Sequence, residues 1–348
     1  MSTELTYNAR VTALDHPWAE APAPGTTQAV APGIRWLRMP LPFALNHINL
    51  WLLDDGDGVA IVDTGLGLPD TRALWEQIFA HELGGKPVTR VIATHFHPDH
   101  FGNTGWLTER WGVDLWCTQA EFQAAVIACS APGRSTIARE HYLRHGIGAE
   151  ALERLRQRGN HYPGLVPTLP NAYRCMRDGD HLVIDGRRWE VVVVLGHAPE
   201  HAALWCAEMN VLISGDQVLP KITTNVSIWW DRPLDNPLRL YLDSLARFRP
   251  MPGNTLVLPS HGLPFRGLHT RLDALRSHHD ERLAETLDAL GEPRSAAELI
   301  PVLFRRQLDT HQLSFAIGEA LAHLNYLEAA GSLTRTLDPD GVQRFRKA

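Results

Sequence analysis

The chain has 348 residues, 44% of them hydrophobic and 21% charged, with a formal net charge of -6. Such a length suits one large domain beside a smaller one, and the acidic balance supplies no overall pull toward nucleic acid or an anionic membrane. No run approaches the ~20 apolar residues of a membrane span, Met1-Ser2-Thr3-Glu4-Leu5 lacks the pattern of a signal peptide, and Cys117, Cys129, Cys175 and Cys206 form no Cys-x-x-Cys pair, so reduced thiols in a cytoplasmic protein are expected.

Residues 1–26 carry no clear period. His16-Pro17-Trp18 and Ala21-Pro22-Ala23-Pro24-Gly25 read as an extended arm that wraps the domain or a second subunit. Strands are expected over 34–38, 46–53 and 59–62, the last two joined by a hairpin turn at Asp54-Asp55-Gly56-Asp57-Gly58. Residues 69–82 form an amphipathic helix with Leu74, Ile78 and Phe79 on one side. The apolar run Val91-Ile92-Ala93 reads as a buried strand, followed by a helix over 106–111 and a strand over 113–117. This alternation implies α/β layering. A helix-rich stretch runs from Glu121 to about Gly159. Its His141 and His145, with His161 beyond it, are expected on a solvated face. Arg134, Arg139 and Arg144 suit either an anionic substrate tail or ordinary surface charge. Further strands fall at 181–184, 189–195, 203–206, 211–214 and 256–258, with a helix over 238–248.

One stretch dominates this order: Thr94-His95-Phe96-His97-Pro98-Asp99-His100, at the end of a strand. Three imidazoles and a carboxylate crowded there carry a desolvation cost that needs a partner. Neutral imidazole and carboxylate suit zinc and similar divalent metals. An extended chain turns His95 and His97 to one side. Asp99 and His100 lie past the break at Pro98, so one segment can serve two neighbouring ions.

His95-Phe96-His97-Pro98-Asp99-His100 resembles the His-x-His-x-Asp-His signature of the metallo-β-lactamase superfamily. The family's other motifs follow in its order: Asp63-Thr64-Gly65 after Ile61-Val62, Gly196-His197 after the run to Leu195, Ser214-Gly215-Asp216 after Val211-Leu212-Ile213, and Ser260-His261-Gly262 after Leu256-Val257-Leu258. The resemblance covers about residues 28–268 and departs at Glu200, where relatives often have Gly; Glu200 is expected to alter the wall of the site. It implies an αββα four-layer sandwich over 27–268, with a helical insert over about 119–178 that lies over the site. It also implies two divalent ions, zinc by default, with iron or manganese as alternatives. His95, His97 and His197 are the implied ligands of the first ion, and Asp99, His100 and His261 those of the second. Asp216 bridges them, and Asp63 supports the ligand loop by hydrogen bonds.

After His269 the pattern changes to helices over 271–290, from a capping box at Ser295-Ala296-Ala297-Glu298, and over 313–330. A hairpin follows around Asp338-Pro339-Asp340-Gly341. Residues 269–348 thus resemble the small winged-helix module that some metallo-β-lactamase-fold proteins carry. Its third helix has no Lys or Arg, a poor basis for phosphate contact, although Arg335, Arg344, Arg346 and Lys347 make the hairpin and tail basic. A structural or homodimerising role is expected.

The resemblance implies a binuclear hydrolase with a metal-bridging hydroxide, in which Asp99 orients the nucleophile or passes a proton. Thioesters, esters or lactones are the lead substrates, because of the net acidity and the aromatic loop. Trp229 and Trp230 of the loop 220–233, and Tyr142 of the insert, are the pocket candidates. An endoribonuclease or phosphodiesterase is the main rival, then a mononuclear iron sulfur dioxygenase. The partner is expected to be a small molecule, with nucleic acid disfavoured and no membrane involved.

Overall fold

The computed structural model describes residues 14–130 and 135–348. Residues 1–13 of the expected arm, and Arg134, lie outside the described residues. From Leu14 the arm lies on its own domain. Arg266 N–H donates to the Asp15 carbonyl at 2.8 Å, and Trp18 and Ala21 pack on the core.

Among the described residues, strands β1 (Gln28–Ala31), β2 (Ile34–Pro40), β3 (His47–Asp55), β4 (Gly58–Val62), β5 (Val88–Ile92), β6 (Leu115–Thr118) and β7 (Tyr173–Met176) form one sheet in that order. Strands β8 (His181–Ile184), β9 (Arg187–Val194), β10 (His201–Cys206), β11 (Val211–Gly215) and β12 (Leu256–Pro259) form a second, ordered β12-β11-β10-β9-β8. Strand β7 is an addition to the sequence expectation, lying inside the stretch assigned to the insert. It pairs in parallel with β6 through Leu115 and Tyr173.

The sequence builds the layers through strands that are apolar on both faces. On β3, Leu50 and Leu52 pack against outer helices that include Pro69–His81 and Thr104–Trp111. The alternate residues Trp51 and Leu53 pack between the sheets. Strand β11 repeats the device: Val211 and Ile213 face the inter-sheet core, and Leu212 faces Leu238 and Leu242 of the helix Pro237–Leu245. Period-two alternation with no polar face requires cover on both sides. The result is helix, sheet, sheet, helix.

The strand directions then gather the motifs. Strands β4 and β5 are parallel. In the second sheet β9 and β11 are each antiparallel to β10, and β12 is parallel to β11. The loops after β4, β5, β9, β11 and β12 therefore meet at one edge. Backbone bonds stitch the sheets there: Ala202 N–H donates to the Thr94 carbonyl at 2.8 Å, and Asn49 N–H to that of Ser260 at 2.7 Å.

The helices Leu268–Ala289, Ala296–Leu303 and Thr310–Ala329 lead into the hairpin β13 (Leu333–Leu337) and β14 (Gln343–Lys347). Ser295 and Glu298 form the expected capping box, and Asp309 with Gln312 forms another. The core of this region (Leu299, Ile317, Leu321, Phe345) is continuous with the outer face of the second sheet. No described helix is long and apolar enough to cross a membrane.

Candidate metal centre

The loop after β5 presents the densest cluster. His95 Nε2 lies 2.9 Å from His97 Nδ1 and 3.2 Å from His197 Nε2, and Asp216 Oδ2 stands 3.3 Å from His197 Nε2. The other Asp216 oxygen, Oδ1, is 3.5 Å from His100 Nε2 and 3.4 Å from His261 Nε2. Asp99 Oδ2 completes that side, 3.5 Å from His261 Nε2 and 3.7 Å from His100 Nε2. The seven side chains thus form two groups: His95, His97, His197 and Asp216 in one, and Asp99, His100 and His261 in the other. Asp216 faces both.

These groups fit divalent metal. Lone-pair-bearing nitrogens converge on each other rather than on donors. His100 Nε2 and Asp216 Oδ1 are buried without a hydrogen-bond partner, an expensive arrangement unless a cation sits between them. The charges agree. Burial, reinforced by the neighbouring imidazoles, holds His95 and His97 well below the ordinary histidine range and so neutral. Burial opposes charge on His100 too, but the Asp63, Asp99 and Asp216 carboxylates raise it well above that range. Burial would raise Asp216, yet His261 and His100 hold its carboxyl well below the usual carboxylate range.

Three of the five imidazoles, His100, His197 and His261, are anchored on their far side, which fixes their aim. Asp63 Oδ2 lies 2.8 Å from His100 Nδ1, and the same carboxylate accepts from the Thr94 N–H at 2.8 Å and hydroxyl at 2.9 Å. His197 Nδ1 meets the Asn225 carbonyl and His261 Nδ1 that of His47, both at 2.7 Å.

Sequence reasoning missed two other contributors. Glu121 is fully buried at the start of the helix Gln119–Ser130. It accepts from Phe96 N–H at 2.8 Å and Glu200 N–H at 2.6 Å, tying together the two loops that carry His97 and His197. Burial pushes its carboxyl up to about 7. His201 Nε2 accepts from Asp216 N–H at 3.2 Å, and burial keeps that imidazole neutral, down to about 3. Gly215, at φ +52°, is what admits it: a Cβ there would stand 2.2 Å from His201 Nε2. His201 carried a signal, four residues past His197. Glu121 carried none, since an acidic residue in a first helical turn reads as surface.

The other predicted residues divide. Trp229, Trp230 and Tyr142 line a cavity of about 1830 Å³ that opens on His97, Asp99, His197, Asp216 and His261. Ile228 is buried in the core instead. Arg139 also lines the cavity; Arg144 is exposed and does not. Two expectations are corrected. Glu200 does not form the wall, because its carboxylate turns to accept from Ala120 N–H at 3.2 Å. His141 and His145 are buried, their rings 4.6 Å apart, because the insert packs on the C-terminal region, where Ala297 N–H donates to the His145 carbonyl. His161 is exposed, as expected.

A metallo-beta-lactamase superfamily model matches residues 45–261, a span that holds all seven side chains. The chain belongs to that superfamily. A second model, for the metallo-beta-lactamase-like C-terminal domain, matches residues 283–348. A crystal structure of a beta-lactamase domain protein from Burkholderia ambifaria is 50% identical, with a TM-score of 0.92 over 96% of this chain and 98% of that one. A probable metallo-hydrolase, YqjP of Bacillus subtilis, is 24% identical over 86% of this chain and 93% of its own length. An atrochrysone carboxyl ACP thioesterase of Aspergillus fumigatus is 21% identical over 70% of this chain and 45% of its own. This chain is a metallo-hydrolase of the superfamily, with a histidine and aspartate cluster able to bind metal.

Proposed function

We propose that the enzyme is a binuclear hydrolase that cleaves a thioester, ester or lactone. The observation that carries this reading is Asp216, whose two oxygens address two separate ligand groups. His95, His97 and His197 would hold one divalent ion and Asp99, His100 and His261 the other, with Asp216 shared; zinc suits this donor set. When bound, such ions supply hydroxide near neutral pH and polarise the carbonyl under attack. The chain's own work is to aim and to move a proton. Asp63, Asn225 and His47 fix the imidazoles by the bonds described above. Asp99, with its side chain 18% exposed, reaches the cavity and can take a proton from the attacking water and pass it to the departing sulfur or oxygen. The name of the fungal thioesterase supports acyl chemistry.

Ion pairs within the chain weigh against RNA. Arg344 pairs with Glu298 at 2.7 Å and Asp338 at 2.6 Å, Arg335 with Glu328, and Lys347 with Asp288 at 3.5 Å. We read residues 269–348 as a winged-helix-like structural module and the protein as cytoplasmic, with its four cysteines free.

The test is turnover of metal-loaded protein on acyl-thioesters and esters beside single-stranded RNA, with Asp99→Asn as control. Carbonyl cleavage that the variant loses is expected, with two metals per chain. RNA cleavage with inert esters, or one iron per chain, would overturn the reading.

A further inference from the structure

The cavity is larger than a small acyl group requires. Pockets for small molecules typically span about 300–1,000 Å³, and this one has about 1830 Å³. Four aromatic rings on its lining come from three distant segments and touch in series. Phe43, on the loop between β2 and β3, stacks on His311 with ring centres 5.6 Å apart. His311 meets Phe315 edge-on at 4.9 Å, and Phe315 meets Trp229 edge-on at 5.5 Å. His311 and Phe315 belong to the helix Thr310–Ala329, within the C-terminal region. Apolar residues of the insert, Leu152 and Leu155 among them, line the same cavity.

Charge does not select an anion here. The lining carries both signs, and two of its arginines are paired: Arg156 with Glu153 at 2.7 Å and Arg232 with Asp235 at 3.7 Å. Phe43 and Ile127 remain 40% and 46% exposed, apolar surface that a ligand could cover.

We infer that Phe43, Trp229, His311 and Phe315 form a subsite for a medium or long acyl chain, and that the C-terminal helix is thereby part of the active site. The inference rests on the hydrolase reading for the chain's ester end, and not for its binding. An acyl chain fits because methylenes need only area and no directional partner. With the ester at the metal groups, the chain runs along the aromatic wall.

The experiment measures binding as well as turnover. Alkanoates from butanoate to dodecanoate are titrated into full-length, metal-loaded protein by calorimetry, and kcat/KM is measured for thioesters of the same acids. Each added methylene is expected to tighten binding about fourfold until the wall is filled. Phe315→Ala is expected to weaken dodecanoate about tenfold with metal content unchanged. Phe43→Ala, on an exposed ring, gives the same direction without risk to the core and decides the matter if Phe315→Ala misfolds. Chain-length-dependent binding that the variants lose would sustain the subsite even if no ester were cleaved. Affinity independent of chain length, or unaffected by Phe43→Ala, would overturn it even if esters were cleaved.

Discussion

Asp63→Asn separates charge from shape at the metal centre. Asp63 is 1% exposed and sits at φ 63°, a left-handed conformation that Asn tolerates and Ala does not. The amide keeps one carbonyl oxygen, enough for the Thr94 N–H. Its NH2 then faces His100 Nδ1, where the carboxylate had stood 2.8 Å away. Two donors cannot share that contact, so His100 must move its proton to Nε2, the atom that faces Asp216 and Asp99. The expected cost is a 10–100-fold loss of affinity for a metal ion offered to the group of Asp99, His100 and His261. The buried mismatch also removes about 1–3 kcal/mol of stability from the metal-free protein. Competitive chelator titration reads the affinities and urea melts the stability. The group around His95 should lose much less. Equal affinity of both sites in wild type and variant would refute the view that Asp63 aims His100.

Two further predictions follow from the packing. His145 is 1% exposed, and burial, with the nearby His141 and Arg335, depresses it to about 3. The unfolded chain takes up this proton near pH 6.5 while the folded chain does not, so the contribution is complete above that pH and is lost as pH falls toward 3. His145→Gln should therefore shrink the stability difference between pH 7.5 and 5.5 by about 1.4 kcal/mol in urea melts; an identical difference in both proteins would show that His145 does not set it. Gly318 lies against the loop 220–233, where an added Cβ would stand 2.8 Å from Ser227 Cβ and 2.9 Å from the Ile228 carbonyl oxygen. Gly318→Val should cost about 1–3 kcal/mol and weaken metal binding at the His197 group by chelator titration. A lower Tm with unchanged affinity would uncouple loop and ligand.

The histidine and aspartate cluster was legible because each of its segments follows an apolar strand, and strand ends in a layered α/β fold converge. The turn at Gly56 and the cap at Ser295 were legible for a similar reason, since their chemistry is local. Strand β7 was not: Tyr173–Met176 has only four residues and exists through its pairing with β6. The burial of His141 and His145 depends on what packs over the insert, more than a hundred residues away in sequence. The roles of Asn225 and His47 are carried by backbone carbonyls, which any residue would supply whatever its side chain.

That last point bears on the loop between β11 and β12. Arg271 holds its start by donating to the Leu219 and Ile222 carbonyls at 2.5 and 2.7 Å. Farther along, Ile228 N–H donates to the Gly318 carbonyl at 3.0 Å, and Asn325 donates to the carbonyls of Pro233 at 3.1 Å and Asp235 at 2.8 Å. The Asn225 carbonyl that steadies His197 is therefore held in place by residues that bind no metal. A fragment ending near residue 268 would keep every donor atom and pass any motif search as complete. It would lack the clasp that keeps one donor pointed, so counting donors overstates what such a fragment can bind. Drift along the helix Thr310–Ala329 also gives selection a way to retune metal affinity while every ligand stays fixed.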